Sequence, residues 1–433
     1  MKTMLLATLS AAAMLVAATA LAQDASPTPG HDQAPGQQFH ITVDDLPAPV
    51  PVDPKAPVNP PKKVERGEHL PLVPEGFQLK LYIENFGAAR RLAVDAENVV
   101  MLAQQDQHRI MKLRDIENDG FADTGGLVLE QAANPFGLAF VTNGEFEGDL
   151  LVADQDAVYR IPLASVGFNI GQVTPDGMFG EVAGHISHEV AYDAKASQVY
   201  VSVGSVNNVA VEEGNKATIQ RVNLDGSDPV TFASGLRNVT GMDFEPGSNA
   251  LYAVVMERDG MGDQLVPDFL ARIDEGDHFG WPYQYTGGFV QPELQDQLPK
   301  LKAAKMPDVL FEAHSAPLDM VFIPDSWPEE YRGDALVALH GSSGASVPTG
   351  YKVVRVPFTD GKPDGSYENF MTGFWVSGDA TAEVWGRPAA LAFGPDGGLY
   401  VSDDFGGTIW KVMPHDIALA NQQKAMQPPV ANP

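Results

Sequence analysis

From Arg90 onwards one short theme returns six times, and few folds can accommodate that. A turn led by Arg, Asn or His gives way to an apolar strand and a Gly/Asp/Asn turn. A second apolar strand, a polar loop and a third strand follow. The theme reads RRLAVDAENVVMLAQQDQHRIMKL from Arg90, NPFGLAF with GDLLVADQDAVYRI from Asn134, and HISHEVAYDAKASQVYVSVGS with ATIQRVNL from His185. It returns as RNVTGMDFEPGSNALYAVVMERD from Arg237, HSAPLDMVF with GDALVALHGS and YKVVRVPF from His314, and RPAALAFGPDGGLYVSDDFGGTIWKV from Arg387. Strands this short cannot bury a face alone, and repetition at tens of residues means that each unit packs on its neighbours. The expectation is an all-β chain, a six-bladed β-propeller over residues 74–413, because a two-sheet sandwich does not explain the repetition. GFQLKLYI from Gly76 is expected to add the outer strand that closes the ring against the last repeat and covers its edge.

The flanks read differently. Met1-Lys2, an apolar run from Leu5 to Ala20 and the small-x-small Ala20-Leu21-Ala22 predict a signal peptide over 1–22, cleaved after Ala22, and a periplasmic or secreted protein. No later segment is apolar and long enough to span a bilayer. Residues 23–73 form a Pro-rich extension, read as a passive spacer, although Phe39–Leu46 alternates like a strand that can dock. Residues 414–433 are polar and predicted to be a flexible tail. The formal net charge of −29 excludes nucleic acid and anionic membrane as partners, and the absence of cysteine excludes disulfides and thiolate chemistry.

In a propeller the turns entering the innermost strands crowd one mouth of the central channel. Arg91, His185, Arg237, His340 and Arg387 lie at or near such turns and are expected to meet there. The stretch from Gly235 to Tyr285 is the densest: Arg237 and Asn238 open it, Glu257-Arg258-Asp259-Gly260 follows a strand, and Phe279-Gly280-Trp281-Pro282 ends it. Carboxylates and carbonyls beside glycines are hard oxygen donors suited to Ca²⁺. Asp115-Ile-Glu-Asn-Asp119-Gly120 starts like an EF loop but lacks the terminal Glu, and reads as a hairpin turn.

GLRN, ERDGMGD, LVPDFL, FGWPY, GHISHEV, VYVSVGS, HSAPLDMVF and GRPAALAFGPDGGLYVSDD, in this order over most of Pro74 to Val412, resemble the PQQ-dependent glucose/sorbosone dehydrogenase family, nearest its L-sorbosone dehydrogenase-like branch. The resemblance implies oxidation of an aldose or related sugar by hydride transfer to the quinone, with electrons passed to a periplasmic cytochrome or quinone. It places the catalytic base at His185, with His188 a neighbouring candidate. Arg237 would stabilise the reduced oxygen; Arg237, Asn238, Arg258 and Arg387 would bind PQQ; Glu257, Asp259 and Gly260 would hold Ca²⁺. Trp281 and Tyr283 wall the cleft or pin the insertion. The chain departs from the family where relatives read HGSWNRS: here it is His340-Gly-Ser-Ser-Gly-Ala345-Ser346, which removes an Arg and is expected to open space at the mouth. Asn207 and Ala210 stand where many relatives carry cysteine. A metal-dependent lactonase and a non-catalytic binding propeller are the alternatives.

Overall fold

A computed structural model describes residues 33–48, 55, 58–164, 170–298 and 303–425. The predicted signal peptide lies outside the described residues. Among them, six sheets carry four or five strands each, antiparallel throughout except where Asp277–His278 adds in parallel to Val230–Ser234 at the edge of the third. Their first strands are Arg91–Val94, Leu138–Phe140, Val190–Asp193, Val239–Phe244, Pro317–Phe322 and Pro388–Phe393, each following the turn that heads one of the six repeats. Each packs against the next, and the last returns to the first, so the six strands close a cycle around an axis.

The approach at that axis is close enough to exclude side chains. A Cβ on Gly137 would sit 2.5 Å from the Val190 nitrogen, and one on Gly241 would sit 2.7 Å from that of Met320. Glycine there lets neighbouring innermost strands meet backbone to backbone. Further out the alternating apolar residues fill the gaps between sheets. Tyr82, Leu102, Leu113 and Ala390, for example, join the last sheet to the first. Phe77–Glu84 pairs antiparallel with Thr408–Pro414 as the outer strand of the last sheet, which is the closure expected from the sequence.

The three-strand theme understates each sheet. A fourth strand lies outside, such as Thr124–Glu130 or Ser366–Met371. Thr124–Glu130 contains two glycines and is mostly exposed, so it lacks the alternation that marks a strand in sequence. The extension is not a passive spacer where it is described. Gln38–His40 pairs with Ser366–Glu368, and Phe39 stacks on Tyr367 with centroids 4.9 Å apart. Lys62–Lys63 pairs in parallel with Glu383–Val384. These segments cover otherwise open sheet edges. The predicted flexible tail is also corrected in part: His415–Ala425 is a helix. Ala418 is buried, and the Asn421 amide donates to the Asp396 carbonyl at 2.9 Å, contacts that local polarity did not reveal.

Candidate active site

The turn ahead of the third sheet sets His185. Its main-chain N–H donates to the Ser205 carbonyl at 3.0 Å. The ring nitrogen Nδ1 faces the same carbonyl at 2.8 Å. A carbonyl only accepts, so Nδ1 carries the proton and Nε2 is left with its lone pair. Burial, followed by the nearby Arg237 guanidinium, lowers the pKa of His185 to about 4. Gly204 makes this geometry possible: a Cβ there would stand 2.6 Å from His185 Cβ and 2.9 Å from Asn238 Oδ1. His188 is different. It is 1% exposed, its Nδ1 lies 3.0 Å from the Ser202 carbonyl, and its ring packs on Phe179. That histidine braces the turn.

Arg237 heads the fourth sheet on the same side as His185, since its own carbonyl accepts the Ser205 N–H at 2.9 Å. Its Nη1 donates to Met256 O at 3.3 Å and Glu257 O at 2.8 Å. Nε and Nη2 donate to Asn208 O and Oδ1 at 3.2 and 3.1 Å. Asn238 Oδ1 and Glu257 Oε2 are buried beside it without a hydrogen-bond partner. Burial raises the Glu257 pKa to about 7 against the pull of Arg237. The main-chain N–H of Glu257 and that of Ala316 both donate to Asp268, which ties this loop to the fifth sheet.

Asp259 keeps half of its side chain exposed, and its Oδ1 lies 2.9 Å from His314 Nδ1. His314 Nε2 in turn lies 2.9 Å from the Gly262 carbonyl. Burial opposes ionisation of Asp259, but the His314 hydrogen bond outweighs it and holds the pKa low. Arg258, an expected PQQ ligand, is 1% exposed, and its donors go to Asp259 O, Gln291 Oε1 and Glu293 Oε1, which ties it to the insertion. Trp281 is 3% exposed and donates Nε1 to Asn208 O at 3.1 Å, which makes it a pin for the insertion.

The far side of the mouth is built around Arg387, whose Nε and Nη2 donate to the carbonyls of His340 and Gly341 at 2.9 and 2.5 Å. The Gly341 N–H donates to Ser315 O, which completes a hydrogen-bonded rim from Arg387 to His185. Burial lowers the His340 pKa to about 3, while its Nε2 lies 2.8 Å from Asp404 Oδ1. Arg90, which the sequence reading passed over, pairs with Asp404 at this rim. Arg91 does not reach the mouth. It lies inside the channel, 4% exposed at its side chain, paired with Glu189 and, at 2.6 Å, with Asp319. Ala345 is 1% exposed and Ser346 donates to Asp263 Oδ1, so the substitution there is packed inside its loop and opens no space. In the Asp115 loop the carboxylate accepts the N–H groups of Asp119 and Gly120, the hairpin turn that was expected.

Among the described residues no group of three or more His, Asp or Glu side chains could hold a metal ion. No helix among them is long and apolar enough to cross a membrane.

A family model described as TrAA12-like matches residues 270–415. An uncharacterized protein of Borreliella burgdorferi is 32% identical over 233 residues, 53% of this chain, and the match spans 60% of that protein's length. Among solved structures, the PQQ domain of pyranose dehydrogenase from Coprinopsis cinerea in its holo form superposes with a TM-score of 0.65 at 19% identity, over 82% of this chain and 100% of that one. The PQQ-bound aldose sugar dehydrogenase of Streptomyces coelicolor gives 0.55 at 15% identity, over 79% and 99%. The soluble aldose sugar dehydrogenase of Escherichia coli in its apo form gives 0.54 at 16%, over 78% and 100%.

PQQ is a planar quinone with three carboxylates, and the mouth suits it on its own terms. Asn238 Oδ1 and Glu257 Oε2 are orphaned beside the Arg237 guanidinium, Gly204 keeps the wall clear, and the Arg90 and Arg387 guanidinia both reach His340. The likeness read from the motifs therefore holds in three dimensions: this chain has the fold of the PQQ-dependent sugar dehydrogenases.

Proposed function

We propose that this chain is an exported, six-bladed propeller dehydrogenase, one sheet per blade, that oxidises an aldose or a related hydroxy sugar with PQQ and Ca²⁺ at the mouth. The domain reading is a signal peptide over 1–22, an extension over 23–73, the propeller over 74–413 and a C-terminal segment beyond it. One observation carries the proposal: His185 is held with Nδ1 donating to Ser205, so that its unprotonated Nε2 is available beside Arg237.

When bound, PQQ supplies a two-electron acceptor for hydride. His185 Nε2 removes the proton from the substrate hydroxyl, and a pKa of about 4 keeps that nitrogen free at neutral pH. The guanidinium of Arg237 would stabilise the oxygen on which negative charge grows. Asn238 Oδ1, left without a donor, would accept from the ring N–H of the quinone, and Arg387 and Arg90 would supply positive charge for its carboxylates. The Asp259 carboxylate and the Gly260 carbonyl are the donors left for Ca²⁺. The Glu257 side chain is buried between Arg237 and Asp268, so it joins that set only if its proton leaves. Electrons pass to an acceptor in the exported compartment, a cytochrome or a quinone.

The test is a titration of the apoprotein with PQQ and Ca²⁺, followed by a panel of aldoses with an artificial acceptor. Oxidation that needs both additions is the expected result. Metal-dependent lactone hydrolysis without quinone makes the chain a lactonase instead. Absence of both turnover and quinone uptake makes it a binding propeller. His185→Ala should abolish turnover and spare quinone uptake; lost uptake with normal residual turnover overturns its assignment as the base.

A further inference from the structure

We infer that Asn208 is a positioning residue: from an exposed loop of the third sheet it locks the Arg237 guanidinium to the Asp259 main chain, leaving Arg237 one N–H for the reacting centre. The inference rests on the dehydrogenase reading above.

Five hydrogen bonds converge on this side chain and its carbonyl. Asn208 Oδ1 accepts from Arg237 Nη2 and from the Asp259 N–H, each at 3.1 Å. Its Nδ2 donates to Asp259 O at 2.9 Å, so the amide reads both polar groups of one residue as a neighbouring strand would. The Asn208 carbonyl accepts from Arg237 Nε at 3.2 Å and from Trp281 Nε1 at 3.1 Å. The loop is folded to present it: Glu212 accepts the N–H groups of Val206 and Asn207 at 2.9 and 2.7 Å.

A guanidinium has five N–H groups. Four of those on Arg237 go to Asn208 O, Asn208 Oδ1, Met256 O and Glu257 O. The fifth, on Nη2, has no partner among the described residues. Two carbonyls fix one edge of the plane, and Asn208 fixes the other. Without Asn208 the Nη2 end can swing on a flexible stem, and misplacing a group by about 1 Å costs about a hundred-fold in rate. Only Asn meets the double demand. Aspartate keeps the acceptor for Arg237 but loses the donor for Asp259 O, and alanine loses both.

Asn208 is exposed, so its variants should fold, and two readouts follow. Phenylglyoxal modification, read peptide by peptide in the apoprotein, reports how well Arg237 is held. We expect modification of Arg237 to rise about ten-fold in Asn208→Ala, the worth of a hydrogen bond to a charged group, and to stay low in Asn208→Asp. Arg91 and Arg258 should remain protected in both. In the PQQ- and Ca²⁺-loaded enzyme, Asn208→Ala should lower kcat at least about ten-fold with sugar KM nearly unchanged. Arg237 reactivity equal to wild type in Asn208→Ala overturns the inference. So does a joint rise at Arg91 and Arg258, which marks general loosening. If wild type takes up no PQQ, the dehydrogenase reading falls, and the modification rates alone decide the role of Asn208.

Discussion

Replacing Arg91 by methionine should destabilise the protein in a strongly pH-dependent way. The guanidinium stands inside the channel, where Glu189 from the third repeat and Asp319 from the fifth flank it. Burial raises the pKa of both carboxyls, and Arg91 is the charge that opposes this. Removing one partner of a buried pair costs about 3–5 kcal/mol, because the remaining charge is left uncompensated. Here two carboxylates remain, so the cost depends on their protonation. Without the cation their folded-state pKa values climb further above those of the unfolded chain. A raised carboxyl contributes stability that is present below the unfolded value and lost as pH rises through the folded one, at about 1.4 kcal/mol per unit and proton. Urea titrations of wild type and Arg91→Met at pH 5 and pH 8 check this. The difference should be small at pH 5 and reach about 3–5 kcal/mol at pH 8. Adding Asp319→Asn should recover part of the loss at pH 8. An equal loss at both pH values refutes the charge argument and assigns the cost to lost packing against Phe136, whose ring centroid lies 5.4 Å from the guanidinium carbon.

Three further outcomes follow. The acid limb of kcat/KM should fall near pH 4, set by His185, and Arg237→Leu should move it upward because a positive charge that lowers that pKa is gone; a limb that stays put removes Arg237 from the electrostatics of the base. Gly204→Ala should cut quinone uptake at least about ten-fold with a much smaller effect on urea stability, since the added methyl displaces His185 and Asn238; undiminished uptake would place the cofactor elsewhere. Phe39→Ala should cost about 2 kcal/mol or more and open the extension to limited proteolysis, because the ring stacks on Tyr367 at the edge of the fifth sheet; unchanged cleavage would mean that the edge holds without it.

The repeats were legible because turn chemistry and alternation are local. All six leading residues, from Arg90 to Arg387, stand in the turn that enters a sheet. The outer strands were not legible, since a mostly exposed strand such as Thr124–Glu130 carries no alternation. Neighbouring residues were harder still. Arg90 and Arg91 are equivalent by composition, yet one pairs with Asp404 at the rim and the other with Asp319 in the channel. Arg90 ends the entering turn while Arg91 opens the innermost strand, so a shift of one residue exchanges the two roles. The partners of Arg258 were hidden for a similar reason: Glu293 and Gln291 arrive from an insertion whose return path has no local signal.

By itself the sequence determined the period of the chain, its all-β character and the few turns from which a site could be built, because each depends on residues within one strand or turn. Tertiary structure alone decided which groups those turns present. Ring closure brings Arg91, Glu189 and Asp319 to one point and sets Asn208 against Arg237 and Asp259. The orientation of a side chain is fixed by partners contributed from distant segments, and nothing in the local sequence names those partners.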